Sequence, residues 1–184
     1  MKRDAGRPGG EGSSADAPET GRGKALAVAL VALAIVLLDQ ATKLWVVSSL
    51  RLHESVPLIE GFFDLTYVRN TGAAFSLFAG RSAAFRVPFF VAVSVAAVIG
   101  IAVYVHRTPA SERLVLAGCA FVLGGALGNL IDRVLSGDVV DFLDLHWRGW
   151  HWPAFNVADS FITVGVALLV LRGLAGEPTP RAGG

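Results

Sequence analysis

Four long apolar stretches set the terms for this chain. Residues 25–38 (ALAVALVALAIVLL), Val87 to Val105, Leu114 to Ile131, and the run AFNVADSFITVG that starts at residue 154 are each dominated by aliphatic side chains. A bilayer core about 30 Å thick calls for about 20 helical residues, and these stretches come near that length. With 53% hydrophobic residues and a mean hydropathy of +0.57, the chain is too apolar for an ordinary soluble domain. Four membrane helices are therefore expected, which puts both termini on one side.

The first stretch follows Lys24 and runs straight into DQATKLWVV with no small-residue cleavage site, so it reads as a retained helix, not a secretory signal. Residues 1–23 are rich in Gly, Pro, Ser and charge and offer too little apolar surface to offset the entropy of ordering; a disordered tail is expected there, with a second tail at 174–184. Pro88 is expected in the first turn of the second helix, where its missing N–H costs little. In HRTPASER (106–113), Thr-Pro is a stop and Ser111 a candidate N-cap for the third helix. Nine of the 16 Lys and Arg residues fall on the side of the termini and seven on the other, a bias that makes the termini cytoplasmic.

A net charge of +1 with no basic face gives no electrostatic case for nucleic acid. Cys119 is the single cysteine and forms no internal disulfide. It ends a lipobox-like tetrad, Leu116-Ala117-Gly118-Cys119, whose place inside the third helix makes it a coincidence of composition. His146 and His151 with Asp141 and Asp144 match no zinc-ligand spacing, and Trp147, Trp150 and Trp152 beside them suit an interfacial belt; no metal or cofactor is expected.

The fourth stretch raises the functional question, because Asn156 and Asp159 sit inside it. After Asp159 only SFITVGVALLVL remains before Arg172, too short to cross alone, so the span includes the aspartate. At about 1.5 Å per residue Asp159 lies roughly 20 Å from Arg172, and Asp39 roughly 22 Å from Lys24. Two ionisable positions reach a similar depth on separate helices, with Asp132 and Arg133 slightly higher at the close of the third. Charged groups in hydrocarbon cost about 2.5–3.5 kcal/mol each on insertion scales and normally mark a working site. Asn156, Asp159, Ser160 and Thr163 share one helical face, and so do Asn129, Asp132 and Arg133, so the two polar stripes can meet.

Asp39 and Lys43, four residues apart, read as an ion pair at a helix end with Lys43 reaching to the interface. Asp132 beside the Arg133 guanidinium is expected to stay ionised and to brace the pocket. Asp141 lies in VVDFLDLHW, which follows Gly137 and looks like a short extended return toward the membrane. By spacing alone Asp141 and Asp144 are better read as capping or decorating a surface turn; against that, the flanking Val139, Val140 and Phe142 argue that Asp141 is partly desolvated, which raises a carboxyl pKa. Two acids in a low-dielectric site share a proton, so that one activates water while the other donates to a carbonyl. Asp141 with Asp159 is the expected pair, with Asn156 and Asn129 as neutral partners.

Residues 48–82 are too long for a simple connection. Alternation in Phe63-Asp64-Leu65-Thr66-Tyr67, between Gly61 and Asn70-Thr71-Gly72, predicts short strands of a small sheet on the outer surface. Asn70 and Gly72 are placed to bring backbone close to a peptide.

Taken in order, LLDQATK (37–43), YVRNTGAAFS (67–76), GGALGNLIDR (124–133), GDVVDF (137–142) and FNVADS (155–160) resemble the motifs of lipoprotein signal peptidase, the bacterial signal peptidase II. The resemblance runs from about residue 24 to 173. It implies an α-helical inner-membrane protein with four transmembrane helices and a small extracytoplasmic β-sheet at 48–82, a second outer loop at 133–153, and no cofactor. It further implies an aspartic endopeptidase that acts, as a monomer, on prolipoproteins before the diacylglyceryl-modified cysteine. The family's catalytic aspartates fall on Asp141 and Asp159, and its supporting polar positions on Asp39, Lys43, Asn70, Asn129, Asp132, Arg133 and Asn156. A transporter or proton channel also places carboxylates in a bundle, but it needs a polar route through both leaflets, whereas ALAVALVALAIV and VGVALLVL contain no ionisable residue. A non-catalytic scaffold would tolerate Asn at both aspartates.

Overall fold

The computed structural model describes residues 21–72 and 82–175. Of the expected tails at 1–23 and 174–184, residues 1–20 and 176–184 lie outside the described residues, as do residues 73–76 of the second motif, whereas 21–23 and Leu174 are helical. Helices form where the apolar blocks run: α1 (Gly21–Ser49), α2 (Ala83–Arg107), α3 (Arg113–Leu135) and α4 (Val157–Leu174), each long and apolar enough to cross a membrane. Between them lie β1 (Ser55–Ile59), β2 (Phe63–Asn70), β3 (Val139–Trp147) and β4 (Trp150–His151).

Helix α3 is the hub, packed against α1, α2 and α4. Glycines make this possible by removing side chains where backbones meet. A Cβ at Gly128 would sit 2.6 Å from Asp39 Oδ2, and one at Gly125 would collide with the Ala158 carbonyl. Without a hydrophobic driving force between helices in lipid, such close approach supplies the packing that holds the bundle.

The ends of α2 and α3 differ from the sequence expectation. Helix α2 starts at Ala83, with the Ser82 carbonyl accepting from the Phe85 and Arg86 amides, so Pro88 falls in the second turn and leaves the Ala84 carbonyl without its i+4 donor. Phe85 and Phe89, one turn apart, stack at 5.8 Å and support that earlier start. The N-cap of α3 is Glu112, not Ser111, and it makes no side-chain cap; its carboxylate is held instead by Arg172 at 2.8 and 2.9 Å, tying the start of α3 to the end of α4. Helix α3 also continues past Asp132 and Arg133 to Leu135, and Gly137, at φ +80°, turns the chain into β3.

The four strands form one antiparallel sheet in the order β1-β2-β3-β4. Tyr67, Val140 and Phe142 bury against Val46 of α1, seating the sheet on the bundle. Simple alternation would put Phe63, Leu65, Tyr67 and Arg69 on one face. Instead a bulge in β2 inserts one residue between the pairs Leu65↔Leu143 and Val68↔Asp141, which shifts the phase. Beyond it, Val68 and Asn70 share the face of Asp141, while Arg69 pairs with Asp138 at 2.7 Å. Asp64 stands directly opposite Asp144. This like-charge pair is relieved by His146 on Asp64 (3.2 Å) and His151 on Asp144 (3.5 Å), with the imidazoles stacked at 5.0 Å. The hydrogen bond from His146 holds Asp64 below the usual carboxylate range.

Candidate active site

Asp141 reaches the site from near the start of β3, as its third residue, and Asp159 from the first turn of α4. Both line one cavity of about 840 Å³. Asp141 is 2% exposed, and Asp159 is half-buried. Asp159 does not interrupt its helix, because Asn156 is the N-cap and the two close a reciprocal capping box: the Asn156 side chain accepts from the Asp159 amide, and the Asp159 carboxylate accepts from the Asn156 amide. A carboxylate in an apolar run is thus placed where a helix start calls for one.

Each carboxylate oxygen of the pair accepts a hydrogen bond from a neutral N–H. Asp141 Oδ1 accepts from Asn156 Nδ2 at 2.8 Å and its Oδ2 from Asn70 Nδ2 at 2.8 Å. Asp159 Oδ1 accepts from Asn129 Nδ2 at 2.7 Å and its Oδ2 from the Asn156 amide at 3.3 Å. The three asparagines are locked in orientation because their oxygens face groups that only donate. Asn70 Oδ1 accepts from the Gly72 amide (3.0 Å), Asn129 Oδ1 from Lys43 Nζ (2.9 Å) and Asn156 Oδ1 from the Asp159 amide (2.9 Å). Gly72 therefore acts here through its N–H, on Asn70.

Asp141 is pushed up to about 7, first by burial and then by the nearby Asp159 charge. The amide bonds from Asn70 and Asn156 pull the other way. Bonds to an ionised group are worth about 1.5–3 kcal/mol each, and here desolvation plus like charge outweighs two of them.

Beneath the pair lies a buried ionic cluster. Lys43 Nζ is 2.8 Å from Asp39 Oδ2 and 2.9 Å from Asp132 Oδ2. This corrects two expectations. Lys43 is 2% exposed and does not reach to the interface, because α1 continues to Ser49 and the ion pair is interior to the helix. Asp132 is partnered by Lys43 from α1, not by its neighbour Arg133. Successive residues diverge around a helix, so Asp132 turns inward while Arg133 faces the cavity, donating to the Asn129 carbonyl at 3.3 Å, its guanidinium 5.2 Å from the Phe90 ring centre. Asp39 Oδ1 also accepts from the Ala158 amide at 2.9 Å, and Asp132 Oδ2 from Val140 N at 3.2 Å. One cluster therefore touches the starts of both elements that carry the aspartates.

Sequence reasoning passed over Gln40, which donates to Asp39, Asp132 and the Gly128 carbonyl. Its signal was a polar residue inside LLDQATK, one step from an intramembrane acid. The apolar lining from Phe155, Ile162 and Val164 was also not singled out, since aliphatic residues in a membrane helix carry no mark of what they face.

The family model described as signal peptidase (SPase) II matches residues 31–175. The lipoprotein signal peptidase of Geobacter sulfurreducens is 52% identical over 141 residues, covering 77% of this chain and 87% of the relative. That of Yersinia enterocolitica is 43% identical over 143 residues, covering 78% and 83%. A solved structure of a bacterial membrane enzyme, determined by the in meso method at 2.3 Å resolution, superposes with a TM-score of 0.76 at 30% identity, covering 86% of this chain and 93% of that one.

Proposed function

Because the chain belongs to the signal peptidase II family of lipoprotein signal peptidases, we propose that it is an aspartic endopeptidase in which Asp141 and Asp159 hydrolyse prolipoproteins before the diacylglyceryl-modified cysteine. It is a multi-pass peptidase of the bacterial inner membrane, with prolipoproteins as its substrates. In this reading residues 24–173 form the peptidase unit, the termini are cytoplasmic, and the carboxylates open toward the outer face.

The observation that carries the reading is the pair of carboxylates on one cavity, with every oxygen held by a neutral donor. Neutral amides orient the acids without supplying the fixed positive charge that would ionise both, so one proton stays on the pair and is treated as belonging to it as a unit. The ionised member takes a proton from water as its oxygen bonds to the scissile carbonyl carbon. The protonated member gives its proton to the carbonyl oxygen, forming a gem-diol. On collapse the C–N bond breaks, the amine leaves with the proton taken from water, and the gem-diol hydroxyl returns its proton to the other aspartate. Water is consumed, and the pair again holds one proton. Apolar walls beside the acids suit a cleavage site next to a lipid-bearing residue.

The test is reconstituted cleavage of a diacylglyceryl-modified prolipoprotein. Asp141→Asn and Asp159→Asn are expected to abolish detectable turnover while retaining the fold, whereas Asp144→Asn, which removes a surface partner of His151, remains active. Normal turnover by Asp159→Asn would remove the assignment.

A further inference from the structure

At the end of the bundle that carries both termini, a second cleft of about 250 Å³ lies between α1 and α3. Ala27 and Val31 of α1 and Leu116 and Ala117 of α3 form its apolar walls, with Lys24 and Arg113 beside them. Lys24 is already engaged, donating to the His106 and Thr108 carbonyls at the end of α2. Arg113 is exposed and its guanidinium has no partner among the described residues. The acid next to it, Glu112, is neutralised by Arg172 at 2.8 Å. Among the described residues this end therefore sets Arg22, Lys24, Arg107, Arg113 and Arg172 against Glu112 alone.

We propose that this cleft binds one anionic phospholipid, its phosphate on Arg113 and part of an acyl chain along Ala27, Val31, Leu116 and Ala117. An apolar trough inside a membrane span with an unpaired cation at the interface has the two-part chemistry of such a lipid, since Lys and Arg near the surface attract anionic headgroups. Arg113 is also the first residue of α3, where the helix dipole adds positive potential for a phosphate. Charge sign argues against the other candidate occupants. The leading segment of a secretory signal peptide is cationic and would meet like charge. Residues 1–20 of the chain itself contain no apolar run to fill the trough.

The full chain in detergent, titrated with dioleoyl phosphatidylglycerol or with phosphatidylcholine of the same acyl chains and read by native mass spectrometry, tests this. One phosphatidylglycerol adduct should survive at several-fold higher occupancy than phosphatidylcholine. Arg113→Gln should reduce it to the phosphatidylcholine level, and Ala117→Leu, which fills the trough, should weaken retention of both lipids. Prolipoprotein cleavage by both variants in detergent should stay within about twofold of the parent, which reports folding independently of the lipid. Equal retention of the two lipids overturns the proposal, as does a phosphatidylglycerol preference that survives Arg113→Gln. So does a preference lost on deleting residues 1–20 but not on Arg113→Gln, which would give the lipid to that segment.

Discussion

Lys43 donates to the carboxamide oxygen of Asn129 across 2.9 Å, and that contact, with a second from Asn156 Nδ2 at 3.1 Å to the same oxygen, decides which end of the amide faces Asp159. With its oxygen committed to an ammonium, Asn129 presents N–H to the carboxylate, at 2.7 Å. The ionic cluster under the site thus sets the donor pattern of a residue in it without touching either aspartate.

Lys43→Met is expected to be costly beyond the lost orientation. It strands Asp39 and Asp132, 0% and 8% exposed, without their cation, and breaking a buried pair costs about 3–5 kcal/mol. Thermal unfolding in detergent should show a lower midpoint, and cleavage by the surviving folded protein should fall as well. A variant with parental stability would mean that the cluster is not buried as described.

Asn70→Ala removes one of the two amide bonds that favour ionised Asp141. The carboxyl, already raised to about 7 by burial and the Asp159 charge, should rise further. In the proposed mechanism the singly protonated pair is active, so the high-pH limb of kcat/KM should move to higher pH. Movement to lower pH, or none, would contradict the role assigned to Asn70.

Stability should carry the same signature. A carboxyl whose folded pKa is raised favours folding most below its unfolded value, here 3.8, and loses that contribution as pH climbs through about 7. Unfolding midpoints between about pH 4 and 8 should decline toward the alkaline end, and Asp141→Asn should flatten the slope. A slope unchanged in Asp141→Asn would assign the titration elsewhere.

Gly128→Ala places a methyl 2.6 Å from Asp39 Oδ2. Overpacking of this kind costs about 1–3 kcal/mol, and here the displaced group also holds Lys43 and the Ala158 amide. Reduced thermal stability together with reduced cleavage is expected, against little effect for alanine at Gly100, where an added Cβ meets nothing within 4 Å.

Chelation should leave activity unchanged. Among the described residues no three His, Cys, Asp or Glu side chains are grouped to hold a metal ion, and all four oxygens of the pair accept from N–H donors. Loss of cleavage in EDTA that zinc restores would show that these oxygens are used differently in the working enzyme.

What the sequence determined by itself was the solvent and where along the chain its costly polar groups lie. Unbroken apolar length specifies membrane helices because hydrocarbon admits little else, and an acid such as Asp159 inside such a run marks a site because its burial is expensive. What only the tertiary structure decided was who partners whom. The burial of Lys43 depends on α3 lying against α1 at Gly128, and its pairing with Asp132 joins residues 89 positions apart. The approach of Asn70 to Asp141 depends on a single-residue bulge in β2 that local alternation does not announce. Periodicity and hydropathy are properties of one segment, whereas hydrogen-bond partners and register arise only when segments pack and compete for the same donors and acceptors.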